Sequence, residues 1–150
     1  MTRLGIHRVE LLLVIPLLLV AIGGSFGAAE GQDARRGIDA LAIVLLVAGP
    51  LLLLLWRRWP LVTLGGVVAA TAVYFSMDYP YGPVFFSLVL ALIAGVVSGH
   101  RRVAWALAAA LLVVVLCVRA LGGIGEDVTF GDLIGGLTWI VIALCLGEVV

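Results

Sequence analysis

The chain has 150 residues, 64% of them hydrophobic and 12% charged, with a mean hydropathy of +1.29. A soluble domain carries about 25% charged residues, so this chain has too few polar groups to cover a water-facing surface. Nine arginines balance nine acidic residues, with no lysine, and this neutral total excludes the basic excess that nucleic-acid binding requires.

Six apolar segments follow in chain order, and about 20 residues at a rise of 1.5 Å cross a hydrocarbon core of about 30 Å. The first runs from Val9 to Ala28 and contains Pro16. Residues 1–29 also read as a cleaved secretory signal, with a basic start and Gly27-Ala28-Ala29 at the end. The run is longer than a signal core of about 7 to 15 residues, so a retained span is the expectation. The second segment, Ile38 to Trp56, contains Pro50. Each proline removes a helix hydrogen bond and kinks its helix.

Trp56-Arg57-Arg58-Trp59-Pro60 leads into the third segment, Leu61 to Met77. The turn Asp78-Tyr79-Pro80-Tyr81-Gly82-Pro83 then locks a hairpin with the fourth, Val84 to Ser98. This fourth segment is the shortest, and it spans if Tyr81 and Pro83 sit in the interface. Gly99-His100-Arg101-Arg102 precedes the fifth, Val103 to Leu121, and a glycine-rich acidic link precedes the sixth, Phe130 to Val149. Lipid offers no hydrogen-bond partners, so each run must satisfy its own backbone as a helix, and runs apolar on every face lack the alternation of a β-barrel. The expected fold is all-α: one membrane-embedded domain over residues 1–150, a polytopic transmembrane bundle of six spans in the cell membrane.

Arginines set the orientation. With the N-terminus inside, Arg3, Arg8, Arg57, Arg58, Arg101 and Arg102 are cytoplasmic, whereas Arg35, Arg36 and Arg119 are external. This bias obeys the positive-inside rule and places both termini in the cytoplasm.

No charge lies near the middle of any segment, where ionised residues are kept for function. Asp39 and Asp132 open helices, and a carboxylate there is favoured by the positive helix N-terminus. The sharper reading joins Asp78, Glu126, Asp127 and Asp132 with Arg119 in an external sensing cluster for a cation or cationic peptide. Trp56, Trp59, Tyr79, Tyr81 and Trp105 fit interfacial aromatic belts. Gly23 with Gly27, Gly95 with Gly99, and Gly131 with Gly135 stand four apart, a spacing that lets helices approach closely within the bundle or at a dimer seam. Cys117 and Cys145 fall in opposite leaflets, roughly 14 Å apart in depth, too far for a disulfide, whose alpha carbons lie within about 7 Å.

The run Arg57-Arg58-Trp59-Pro60-Leu61, the turn Asp78-Tyr79-Pro80-Tyr81-Gly82-Pro83 and the helix end His100-Arg101-Arg102 resemble one known pattern. They are similar to the N-terminal transmembrane sensor domain of actinobacterial two-component sensor histidine kinases, where an Arg-Arg-x-Pro start and a Tyr-Pro-x-Gly-Pro turn bracket a helical hairpin. Specific matches cover residues 57 to 102, and the lysine-free, alanine- and arginine-rich composition also resembles that of a high-GC genome. The resemblance implies a sensory and dimerisation domain that passes a membrane or extracellular stimulus to a cytoplasmic kinase core. It implies a homodimer in the lipid bilayer and a response regulator as partner. ATP and Mg belong to the kinase region of that family, and these 150 residues hold no such motif. Neither His7 nor His100 sits in a phospho-acceptor motif, so no catalytic, cofactor or metal residue is assigned. The chain ends with the sixth segment, which reads as a kinase region absent or removed. The alternative is a stand-alone small multi-pass membrane protein: a transporter, a channel or an accessory subunit of a complex.

Overall fold

The computed structural model describes the backbone at residues 3–29, 36–80, 84–122, 138, 140–142 and 144–148, with side chains described from 14 to 27 and, beyond 36, as far as 118 and then at 138–148 within those stretches. The described residues are all-helical, with no strand among them. Five helices have defined bounds: α1 Arg3–Ala29, α2 Ala40–Leu53, α3 Pro60–Ser76, α4 Val84–Val97 and α5 Arg101–Gly122. Residues 140–142 and 144–148 are also helical and are called α6 below.

Local chemistry accounts for the boundaries. Asp39 is the N-cap of α2, extended at φ −109° and ψ −178°, and its side chain accepts from the Ala42 amide. Pro60 opens α3 at a position where no backbone donor is needed. Gly99, at φ +82°, ends α4. The Gly99 amide donates to the Val96 carbonyl and the His100 amide to the Gly95 carbonyl, the paired bonds of a Schellman cap. Asp78 closes α3 at φ 56°, a left-handed conformation that aspartate tolerates better than most residues.

α2 is shorter than the apolar run from which it was inferred. Its helix spans 14 residues and gives way at Leu54 to bonds closed over three residues, Leu54 to Leu51, Leu55 to Leu52 and Trp56 to Leu53. α1, in contrast, begins at Arg3, ahead of the apolar run.

α3 is central and packs against α2, α4 and α5, while α1 lies across α2 and α4. The main core joins Leu64 and Val67 of α3, Leu88 and Leu92 of α4, Ala108 of α5 and Leu144 of α6. A second core gathers Ala42 and Leu46 with Tyr74, Phe75, Tyr79 and Val84. Two of the buried hydroxyls find carbonyls: Thr71 donates to Val67 at 2.8 Å, and Thr63 donates across to Leu52 of α2 at 3.0 Å.

Charges segregate to two ends. A Cβ on Gly95 would lie 2.9 Å from Leu64 and 3.5 Å from Ala104, so the start of α3, the end of α4 and the start of α5 meet. Arg57, Arg58, Arg101 and Arg102 therefore share one end, where Arg101 also reaches Glu148 of α6 at 3.7 Å. Arg36, Asp39 and Asp78 occupy the other.

One helical window among the described residues, Arg101–Val118, is long and apolar enough to cross a membrane, with 18 residues, a mean hydropathy of 2.1 and only 17% buried inside the molecule. The apolar stretches Val14–Gly27, Ala40–Leu53, Pro60–Ser76 and Val84–Val97 are shorter.

Candidate functional site

The densest polar cluster described lies where α2 begins and α3 ends. Residues 36–39 have no regular secondary structure and carry Arg36 and Asp39 to the turn that follows α3. The Arg36 amide donates to the Asp78 carbonyl at 3.2 Å, laying this segment along the turn.

Asp39 is the hub. Its Oδ1 accepts from the Ala42 amide at 3.0 Å and from the Tyr79 hydroxyl at 2.6 Å. Its Oδ2 accepts from Arg36 Nη2 at 2.7 Å, an ion pair with both side chains partly exposed. The Arg36 guanidinium also lies 5.2 Å above the Tyr79 ring and donates to Met77 Sδ at 3.9 Å. The Tyr79 ring is fully buried and leans on Tyr74 at 5.1 Å, and the Tyr74 hydroxyl donates to the Pro80 carbonyl at 3.1 Å.

The electrostatics follow from these contacts. The Tyr79 hydroxyl, the Ala42 amide and Arg36 hold the Asp39 carboxyl at about 2, below its ordinary 3.8, against the smaller opposing effect of burial. Burial first, and donation to Asp39 second, push the Tyr79 phenol up. At neutral pH the pair is therefore an ionised acceptor and a protonated donor. A carboxylate so strongly acidic and so fully engaged is a poor general base. The arrangement is a clasp that fastens the start of α2 to the α3–α4 connection.

Asp39 thus does cap a helix, as its position in the sequence suggests. Sequence reasoning missed its second partner, Tyr79, whose residue type reads equally well as an interfacial aromatic. Of the expected external cluster, Asp78 lies beside the clasp. Glu126, Asp127, Asp132 and the side chain of Arg119 lie outside the described residues, as do Gly131 and Gly135. Among the expected packing glycines, Gly95 sits against Leu64, Gly99 serves as the left-handed cap, and Gly23 and Gly27 face open space.

The opposite end carries guanidinium groups. Arg57 lies 5.3 Å from the Trp56 ring, and Arg57, Arg58, Arg101 and Arg102 are all exposed. No group of three or more His, Cys, Asp or Glu side chains able to hold a metal occurs among the described residues. Cys117 and Cys145 are free and exposed.

In comparisons with known proteins, no family model matches the chain, and neither does any curated protein or solved structure.

Proposed function

We propose that this chain is a multi-pass membrane-embedded helical domain of six spans with both termini in the cytoplasm, acting as the sensory and dimerisation domain of a two-component sensor histidine kinase. One observation carries the membrane reading: large apolar side chains cover the outside of the bundle between its two charged ends. Leu19 is 69% exposed, Val44 62%, Val62 53% and Val113 56%, on four different helices. Burying such a side chain is worth about 1.5–3 kcal/mol, and apolar patches of this extent are rare on soluble monomers. α2, α3 and α4 contain no charged residue. At 14 to 17 residues they reach about 21–26 Å at helical rise. The apolar turn Leu54-Leu55-Trp56 extends the second, and local thinning of the bilayer accommodates the rest.

The sensor role rests on the resemblance over residues 57 to 102, with two contacts in support. The Asp39–Tyr79 clasp couples α2 to the α3–α4 connection at the external end. At the other end Arg101 meets Glu148, linking α5 to α6, the helix that would pass a shift inward. A stimulus acts on such a bundle by favouring one packing over another.

The test of topology uses single cysteines at positions 36, 57, 78 and 101 in a chain with Cys117→Ser and Cys145→Ser, labelled in sealed vesicles. Positions 57 and 101 should react from the cytoplasmic side, and 36 and 78 from the outside. Labelling of 57 and 101 from opposite sides would overturn the six-span arrangement. Histidine phosphorylation of the full gene product by ATP tests the sensor role. A reading frame without any kinase region would instead favour the stand-alone membrane protein.

A further inference from the structure

The two halves of α2 belong to different cores. Ala42 and Leu46 of the first half pack with Tyr74 and Tyr79 in the second core. Leu53, at the end of the second half, packs with Leu64 and Leu88 in the main core. The first half is fastened at its start, where Tyr79 donates to Asp39. The second half is fastened where the Thr63 hydroxyl donates to the Leu52 carbonyl at 3.0 Å. Gly49 and Pro50 lie between the two fastenings, and both are buried. Pro50 has no amide, so the Leu46 carbonyl one turn earlier loses the donor that a continuous helix supplies.

Ser87 of α4 faces this break. A Cβ on Gly49 would lie 3.0 Å from Ser87 Cβ and 3.1 Å from its Oγ, so the hydroxyl rests against the α2 backbone. Ser87 is only 2% exposed, and its hydroxyl has no hydrogen-bond partner. Leaving a buried hydroxyl unpaired is costly. A donor without an acceptor therefore stands beside a turn whose carbonyl has lost its donor.

We infer that α2 is a two-position hinge at Gly49–Pro50, in which two buried hydroxyls compete. Thr63 holds the second half in the position seen here. In the other position α2 bends further at Pro50, Leu52 leaves Thr63, and the Leu46 carbonyl turns out of the helix to accept from Ser87. Helices kink where a proline removes a bond or where a side chain enters the ladder, and both conditions meet at this turn. One hydrogen bond is exchanged for another, so the two positions lie close in free energy. The swing carries the turn Leu54-Leu55-Trp56 that follows α2, while the clasped first half stays in place. A change of packing in the proposed sensor needs an element of this kind, but the hinge rests only on contacts inside the bundle.

The experiment measures distances between pairs of nitroxide labels by electron spin resonance, in the full chain with Cys117→Ser and Cys145→Ser in detergent micelles. One pair stands at positions 55 and 103, the other at 44 and 114, and all four sites are exposed. The first pair reads the turn after α2 against α5, and the second reads the first half of α2 against α5. Thr63→Val removes the hydroxyl that holds the present position. It should raise the share of a second distance in the first pair about fivefold, the worth of one hydrogen bond, and leave the second pair unmoved. Adding Ser87→Ala or Pro50→Ala to Thr63→Val should remove that second distance. A single distance in Thr63→Val, or a second one that persists with Ser87→Ala, would overturn the hinge. Should Thr63→Val lose its helical circular dichroism, Pro50→Ala alone should narrow the first pair's distribution, and a distribution left as broad would overturn the hinge equally. None of these outcomes bears on the six-span or sensor readings, which sided labelling and the phosphorylation assay decide.

Discussion

The Tyr79 hydroxyl donates a 2.6 Å hydrogen bond to Asp39 Oδ1 across forty residues of sequence. Hydrogen bonds to charged groups are about twice as strong as neutral ones, and this one joins the start of α2 to the α3–α4 connection rather than two turns of one helix. Tyr79→Phe keeps the buried ring against Tyr74 and removes only the donor. The expected result is a thermal midpoint lowered by about 5 °C, with unchanged helical content by circular dichroism. An unchanged midpoint would show that the clasp holds nothing.

The same contact fixes a response to acid. The Asp39 carboxyl titrates at about 2 in the folded chain against 3.8 ordinarily. A depressed carboxyl contributes stability that is fully present above the unfolded value and is lost as pH falls through the folded one. The clasp should therefore hold at pH 4 and weaken between about pH 4 and 2. In Tyr79→Phe the largest cause of the depression is gone, so the carboxyl should titrate closer to 3.8. Carbon-13 chemical shifts of the Asp39 carboxyl against pH measure both. Tyr79 behaves in the opposite sense: its raised phenol contributes below its ordinary value of 10.0 and is lost as pH rises through the folded value.

Two glycines separate a rigid contact from a yielding one. A Cβ on Gly147 of α6 would lie 2.9 Å from Val96 Cβ, an atom fixed to the α4 backbone. A Cβ on Gly66 would lie 2.8 Å from Leu52 Cδ1, the free tip of a flexible side chain. Gly147→Ala must push α6 away from α4 and should cost about 1–3 kcal/mol. Gly66→Ala moves a rotamer and gains about 1 kcal/mol of helix propensity, so it should be close to neutral. Paired thermal melts of the two variants decide the matter, and equal losses would contradict the α4–α6 packing.

The hairpin of α3 and α4 was legible because its signals are local. Pro60 opens the first helix, Gly99 ends the second, and each boundary was readable to within a residue. The end of α2 was not, because Leu54, Leu55 and Trp56 are as apolar as the helix before them. Hydropathy reports where a side chain prefers to be, not whether its backbone closes over three residues or four. α1 was underread for the converse reason: Arg3 and Arg8 are good helix formers but interrupt an apolar count. The capping by Asp39 was readable from its place, and its partner was not, since nothing in the intervening chain marks Tyr79 as the donor.

Gly23 and Gly27 bear on how two chains would meet. Both lie on an exposed part of α1, and a Cβ on either meets nothing within 4 Å. Among the described residues neither glycine packs against another helix, and Leu19 and Phe26 beside them are also exposed. In a membrane, glycines four apart allow two backbones to approach closely. Gly23→Leu and Gly27→Leu should leave the fold of the single chain intact while disrupting the proposed homodimer. Cross-linking in native membranes measures the second effect, and the thermal midpoint of the chain in detergent the first. A dimer that survives both substitutions must use another face, and a bundle that melts early would mean that α1 packs more tightly than its open glycines indicate.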